Sequence, residues 1–581
     1  MTEKWNSKAT NHSVCPLAAT DAEPGDTLRE RYAKTPVVVK LLEERGITTP
    51  EEAQKFFNPS LDDLHDPFLM PGMDVAVSRL NEAMGAKERI LVYGDYDVDG
   101  TTAVALVYKY LLQFYSQIDY YIPGRYDDGY GISKHVIDEA ADNGVKLVII
   151  LDCGIKANEE IAYAKTLGID FIICDHHVAG AELPDAVAIL NPKLEGSTYP
   201  FPHLSGCGVG FKLMQAFSKS NMLPEGPLAA LLDLVAVSIA ADIVPMTGEN
   251  RILTYHGLRR LNYNANMGLR GIMKICGLTR REITISDVIF KIGPRINASG
   301  RMQSGKEAVD LLVSRDADDA LEKARAIDQY NSDRKELDKV ITEEANAILE
   351  ARGDLISDRK SIVIYNESWH RGIIGIVASR LTEDYYKPAV VLTLTNGIAS
   401  GSSRSVQGFD IYSAVESCAD LLENFGGHTY AVGLSMKPEN IEEFARRFEE
   451  YVAANITPAQ TKPVCEIDAD ITLSEVTIDL LYALRCFNPF GPGNEKPVFR
   501  THGVRDSGTS KIVGKQLEHI KLDLLDPTTQ ESVNAIAFNS AEKFDRISSG
   551  QPFTIIYTIE ENKHHAAGSL IQLMVKEIIF D

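Results

Sequence analysis

The sequence predicts a multidomain α/β protein in four parts: a lobe built on a parallel sheet, a long connector helix, a smaller α/β lobe and a small C-terminal β-barrel. Three observations predict it. Apolar runs of strand length alternate with helix-compatible stretches through residues 89–174, the pattern of a sheet with crossover helices on both faces. Residues 316–352 are rich in Ala, Glu, Lys and Asp and hold few helix breakers. Beyond residue 461 the strand candidates are short and follow one another closely, as in small barrels. The 581 residues exceed what one hydrophobic core usually supports. They divide into an N-terminal extension (1–75), the parallel-sheet lobe (76–315), the connector (316–358), the second lobe (359–460) and the C-terminal domain (461–581).

Taken in order, RILVYG at 89–94 reads as a buried strand, followed by strand candidates at 118–122, 146–151 and 170–174. Helices are expected between them at 101–114, 133–143 and 158–167. From 205 to 261 the pattern turns helical and includes LLDLVAVSIAADIVPM. The connector's charges fit either a solvated face or a helix that holds two lobes across a cleft. SIVIY and AVVLTL resemble strands of the second lobe, with helices expected at 372–384 and 441–452. HIKLDLL, VNAIAF, FTIIYTI and IQLMVKEIIF suit a barrel or an ordinary β-domain. PFGPGNEKP reads as an exposed loop or bend.

The net charge of −23 excludes indiscriminate attraction to nucleic acid but leaves room for a local basic groove. No apolar run has the length of a membrane-spanning helix, and residues 1–20 lack the basic and apolar segments of a secretory signal. The expected location is the cytoplasm, with no membrane partner. Cys15, Cys153, Cys174, Cys207, Cys276, Cys418, Cys465 and Cys486 lack paired metal-knuckle spacing and read as buried or semi-buried thiols.

The strongest local signal is LVYGDYDVDG. Asp95 and Asp97 follow a strand, and a separation of two turns both carboxylates to one side of an extended chain. Asp152 follows VKLVIIL, and Asp175, His176 and His177 follow FIIC. Three strand ends therefore deliver acidic groups to one sheet edge, where open α/β sheets form their ligand crevice. Divalent cations offset the cost of such crowding. Asp242 in AADIVP is an additional candidate ligand, and Asp233 suits a helical surface, a supporting role or direct ligation. Asp99, before Gly100 and a helix, suits an N-cap. A calcium loop does not fit, because its twelfth position falls on Leu106 where a bidentate Glu is needed.

The segments YGDYDVDG, LDCG, DHH and ADIVP resemble, in order, the motifs of the DHH phosphoesterase family, and the likeness to its bacterial single-strand-specific exonucleases runs from Asp95 through the C-terminal domain. The resemblance implies a DHH catalytic domain, a DHHA1 substrate-binding domain and an OB-fold. It implies two divalent cations, manganese or magnesium, held by Asp95, Asp97, Asp152, His176 and Asp242, with Asp152 between them. His177 would lie near the scissile phosphate, and Asp175 would orient His176. The implied substrate is single-stranded DNA degraded from its 5′ end to 5′-mononucleotides; a helicase and a single-stranded-DNA-binding protein are candidate partners that the sequence leaves undecided. In FKIGPRINASGRM, Arg295, Asn297 and Arg301 are candidates for substrate phosphate, against a local reading as interdomain salt bridges. Ser402, Arg404, Gly426, Gly427 and His428, from GSSRS and FGGHTYAVG, are candidates for capturing a terminal phosphate. Their alternative reading is structural turns, and for His370 and His428 an interlobe hydrogen bond. Tyr482, Phe487, Phe490 and Phe499 are stacking candidates that equally suit a core, and Lys511, Lys515 and Lys521 could line a backbone track. A DHH enzyme of short RNA or cyclic dinucleotides, or a catalytically silent strand-binding factor, stays open at this point.

Overall fold

The structure is a computed structural model describing residues 35–124, 131–526, 529–562 and 570–580. The expectations for residues 1–20 and for Cys15 lie outside the described residues. The described chain opens with α1 (Pro36–Glu44) and α2 (Pro50–Phe57). Thr49 and Glu52 form a reciprocal capping box at the start of α2, with Pro50 at the first helical position. Helix α3 (Met73–Ala86) then leads into the first lobe.

Five parallel strands, β1 (Arg89–Gly94), β2 (Ile118–Tyr121), β3 (Val145–Leu151), β4 (Asp170–Cys174) and β5 (Ala188–Leu190), form a sheet in the order β2-β1-β3-β4-β5. All of β3 except Lys146 is buried, the continuous apolar run demanded by a sheet covered on both faces. The covering helices include α4 (Val98–Leu111), α5 (Lys134–Asp142), α6 (Asn158–Thr166) and α7 (Gly206–Ser220). The chain leaves β1 for one side of the sheet and β3 for the other. That opens a crevice beyond the carboxyl ends of these two strands. Helices α8 (Leu232–Ala241), α9 (Gly248–Asn264) and α10 (Gly293–Met302) are among those that follow in the lobe.

The breaker-poor segment forms α11 (Ala317–Ala351), capped by the Asp316 side chain, which accepts from Asp318 N and Asp319 N. Its charges do more than face solvent. Asp338 is buried and receives two hydrogen bonds from Arg380, Nε at 2.9 Å and Nη2 at 2.8 Å. Arg380 lies in α12 (Ile374–Tyr385) of the second lobe. The indole N–H of Trp369 donates to Glu344 at 2.8 Å.

The second lobe carries β6 (Ile362–Tyr365), β7 (Ala389–Thr395), β8 (Ile398–Arg404), β9 (Leu422–His428) and β10 (Ala431–Met436), in the order β6-β7-β8-β10-β9, backed by α13 (Ile441–Asn455). Only the β6–β7 pairing is parallel. Gly426 and Gly427, which a tight turn would have explained, sit within β9 opposite Gly433 and Val432.

In the C-terminal domain α14 (Ile478–Cys486) accompanies β11 (Ala469–Asp470), β12 (Phe499–Asp506), β13 (Lys511–Val513), β14 (His519–Leu525), β15 (Ser532–Ala537), β16 (Phe553–Glu561) and β17 (Ile571–Ile579). The sheet order is β11-β12-β16-β17-β15-β14-β13, with a further β12–β14 pairing at Arg505 and Asp506. Val38, Leu41, Ala53 and Phe57 of α1 and α2 share a core with Phe487, Phe499, Leu522 and Tyr557 of this domain. From α9, buried Arg251 donates to the carbonyls of Phe56, Cys486 and Asn488, and its guanidinium lies 3.8 Å from the centre of the Phe56 ring. The PFGPGNEKP loop is docked, with Pro492 O accepting from Met246 N at 2.6 Å. No helix among the described residues is long and apolar enough to cross a membrane.

Candidate active site

The site is assembled at the carboxyl ends of β1, β3 and β4. Asp95 leaves β1 buried. Asp97 is the N-cap of α4, its carboxylate accepting from Gly100 N at 3.0 Å. Asp99 is therefore not the cap expected from its place before Gly100. It lies in the first turn, fully enclosed, and its carboxylate accepts from Gly206 N at 2.6 Å, Cys207 N at 2.8 Å and Ser238 Oγ at 2.7 Å. Asp152 follows β3 with φ 61°, a left-handed conformation that costs a non-glycine residue of order 1 kcal/mol and that gathers at functional sites. Helix α7 approaches it closely because residue 206 is glycine: a Cβ there would lie 2.6 Å from the Asp152 Cβ.

Asp175, at the end of β4, accepts from the backbone N–H groups of His176 at 2.7 Å, His177 at 3.0 Å and Ile155 at 3.0 Å. Its side chain meets the ring of His177, not that of His176, with Nδ1 to Oδ1 at 2.7 Å. His176 Nε2 instead faces carboxylates: Asp152 Oδ1 at 3.2 Å, Asp242 Oδ2 at 3.6 Å and Asp99 Oδ2 at 3.7 Å. Asp242 reaches the cluster as the C-cap of α8.

The electrostatics are those of a cation site. Burial, then the charges of Asp99 and its neighbours, pushes the Asp152 carboxyl well above the ordinary range, raises that of Asp97 and lifts Asp242 to about 8. Burial drives His176 down to about 4, which leaves a neutral imidazole able to ligate. Burial alone would raise Asp175, but the hydrogen bond and charge of His177 outweigh it and hold the carboxyl at about 2. The same pairing with Asp175 overcomes burial at His177 and raises its pKa. Ligand atoms converge within 4.8 Å in three overlapping sets: Asp95, Asp97 and Asp152; Asp99, His176 and Asp242; Asp152, His176 and His177. Asp152 Oδ1 and both ring nitrogens of His176 are buried without a hydrogen-bond partner in the structure. Oxygen and imidazole donors placed so closely and left unsatisfied fit hard divalent metal.

The remaining sequence candidates separate by location. His428 reaches the site from the second lobe, its ring stacked on His177 with centroids 5.8 Å apart and planes 12° apart. The Gly375 Cβ position on α12 lies 3.0 Å from Ser402 Oγ and 3.3 Å from Arg404 Nη2, so both side chains face that helix. Arg404 Nη1 also donates to Ser402 Oγ at 3.0 Å. Arg301 donates to Gly372 O at 3.0 Å across the lobe boundary, and His370 Nδ1 accepts from Gly372 N at 3.2 Å. Arg295 joins α10 to the connector through Asp328 Oδ1 at 2.8 Å. Asn297 Oδ1 accepts from Val98 N at 3.2 Å, underneath the Asp95–Asp97 loop. Buried Asp233 accepts from Asn266 N and Leu234 N, a local structural role. Phe487 and Phe499 are core residues, Phe490 packs against the same core, and Tyr482 is 43% exposed. Lys511, Lys515 and Lys521 are exposed, Lys511 and Lys521 directly opposite each other on β13 and β14.

Sequence reasoning missed two residues of this neighbourhood. Buried Asn191, just after β5, donates from Nδ2 to His177 O at 2.9 Å and accepts from Lys193 N at 2.9 Å, bracing the histidine loop. Lys193 adds positive charge that acts on Asp242, His176 and His428. Asn-Pro after a short strand carries only a turn signal.

Comparison with known proteins agrees with this arrangement. The sequence matches the DHH family, N-terminal domain, over residues 89–239, the DHHA1 domain over 358–454 and the RecJ OB domain over 467–577. It is 36% identical over 559 residues to the single-stranded-DNA-specific exonuclease RecJ of Bacillus subtilis, covering 96% of this chain and 70% of that protein. With the RecJ of Salmonella typhimurium it shares 34% identity, covering 87% and 89%. The crystal structure of RecJ in complex with Mn2+ from Thermus thermophilus superposes with a TM-score of 0.80 at 25% identity, covering 98% of this chain and 79% of that one.

Proposed function

The chain belongs to the RecJ family, and from that membership we propose that it is a 5′→3′ exonuclease that hydrolyses single-stranded DNA with two divalent cations and releases 5′-mononucleotides. The observation that carries the reading is the pair of carboxylate sets joined through His176 and Asp152, with the histidine of a second lobe stacked beside them. Asp95, Asp97, Asp152, His176 and Asp242 would hold manganese or magnesium. When bound, such a pair supplies Lewis acidity at the phosphate and acidifies water.

The chain's own groups supply the rest. Water oxygen bonds to phosphorus, the bond from phosphorus to O3′ of the departing nucleotide breaks, and the shortened strand keeps a 5′-phosphate. His177, whose pKa the pairing with Asp175 raises, would present its Nε2 proton to the phosphate and deliver it to the leaving O3′. Asn191 fixes the backbone that presents His177. Ser402 and Arg404 of β8, facing the start of α12, offer hydroxyl and guanidinium donors to the 5′-terminal phosphate, together with the positive end of a helix. Capture of the end sets how far the first phosphodiester sits from the cations, which yields one nucleotide per cut. We read the domains as 1–75, 76–315, 316–358, 359–460 and 461–581, with α1 and α2 of the first segment packed into the core of the last. The β12–β14 pairing supports reading the C-terminal sheet as an OB barrel. Lys511 and Lys521, like charges placed opposite each other at a cost, are relieved by a polyanion.

The test is cleavage of 5′- and 3′-labelled single strands, duplex DNA, RNA and short dinucleotides in manganese or magnesium. The expected result is mononucleotide release from the 5′ end of single strands alone. Arg404→Ala should lower the preference for a 5′-phosphorylated over a 5′-hydroxyl strand by about 10-fold or more, as for one lost charge-assisted contact. Cleavage restricted to dinucleotides, or binding without any metal-dependent phosphate release, overturns the reading.

A further inference from the structure

Helix α8 ends at Ala241 with Asp242 as its C-cap, and the next residue, Ile243, has φ 57°. Helices commonly pass through this left-handed conformation just beyond the C-cap, and glycine or asparagine usually stands there because a Cβ crowds the neighbouring carbonyl. A β-branched residue is the least suited of all. The turn of the chain explains the positive φ, but it does not explain the isoleucine. Packing could offset the strain, as burial does for the adjacent Val244, which is 8% exposed; Ile243 is 67% exposed. Its side chain therefore gains little within the folded protein.

Its position is informative. On one side, Asp242 Oδ2 lies 3.6 Å from His176 Nε2 in the metal-donor cluster. On the other, Met246 N donates to Pro492 O in the C-terminal domain at 2.6 Å. The four residue steps from Asp242 to Met246 span at most about 14 Å. Ile243 thus stands on a short strap joining the candidate metal centre to the domain with the exposed lysine pair. Lys193 contributes positive charge beside Asp242.

We propose that Ile243 is a substrate-contacting residue whose side chain packs on the apolar face of the sugar or base adjoining the scissile phosphate of single-stranded DNA. The proposal rests on the nuclease reading of the site. The residue's strain is offset in the complex, where the nucleotide covers the side chain and water leaves both surfaces.

The experiment compares Ile243→Gly, Ile243→Asn and Ile243→Met with the parent full-length protein, by thermal melting without DNA and by KM and kcat on a 5′-phosphorylated single strand in manganese. The Gly and Asn variants should melt no lower than the parent, and up to about 2–4 °C higher because left-handed strain is relieved. Their KM should rise about 5–10-fold, the loss of roughly half an apolar side chain's burial, with kcat changing less than twofold. The Met variant, still apolar, should stay near the parental KM. An unchanged KM in the Gly and Asn variants, or melting several degrees below the parent, overturns the proposal while leaving the nuclease reading intact. A parent protein that cleaves no single strand overturns the nuclease reading and this inference with it.

Discussion

Asp175 engages two adjacent histidines in different ways: it holds both backbones but pairs only with the ring of His177. Replacing it with asparagine removes the charge that raises the His177 pKa. Asp175→Asn should therefore lower kcat by about 10²-fold or more and move the alkaline limb of the pH–rate profile to lower pH, measured in saturating manganese. The crowded carboxylates make a second prediction. In the cation-free protein Asp242 keeps its proton up to about pH 8, whereas the unfolded chain loses it near pH 4. Between those values the folded state binds more protons, so this group's contribution to stability falls as pH rises. A bound divalent cation reverses that trend. The melting-temperature gap between manganese-loaded and chelated protein should widen from pH 5 to pH 8, and a gap that narrows contradicts the metal assignment. Most donors were legible in the sequence because each follows an apolar strand. Asp99 was not, since its partners Gly206 and Cys207 lie more than a hundred residues away. Nor could two neighbouring histidines reveal which ring Asp175 would meet.

Among the elements, α10 braces the metal-donor loop. Asn297 caps Val98 N, and Gly300 lets the helix approach so closely that a Cβ there would stand 2.4 Å from Tyr96 O. The next residue, Arg301, reaches Gly372 of the second lobe. Asn297→Ala should weaken manganese affinity and lower kcat, each by about 10–100-fold as for the loss of a supporting contact, with little change in KM for DNA; calorimetric titration with manganese and steady-state kinetics check it. An unaltered manganese affinity would remove the brace from the account. The connector was legible because nothing in it breaks a helix. Strands β8 and β9 were not, because IASGSSR and LENFGGH lack the alternating apolar pattern that marks a strand, while their pairing comes from partners elsewhere in the chain.

For the whole molecule, the largest departure from the sequence reading is that α1 and α2, taken as part of an extension, complete the core of the C-terminal domain. Phe56 and Phe57 pack edge-on against Phe487 with centroids 5.5 and 5.2 Å away, and Arg45 donates to Asn494 across a separation of 449 residues. Local patterning carries no trace of such a pairing. Phe57→Ala should cost about 3–5 kcal/mol, and the loss should appear in denaturant unfolding of the C-terminal domain, with the sheet lobe's manganese affinity maintained. Arg251 then ties this composite unit to α9 through the carbonyls of both its parts. The arrangement also has a history in time. A ribosome that has made α1 and α2 must add some four hundred more residues before the strands that cover them emerge, roughly 20–80 s at bacterial to eukaryotic speeds of about 5–20 residues per second. Through that interval the greasy side of the first two helices has no native mate, so the nascent chain is most vulnerable to clumping while its catalytic lobe is already complete.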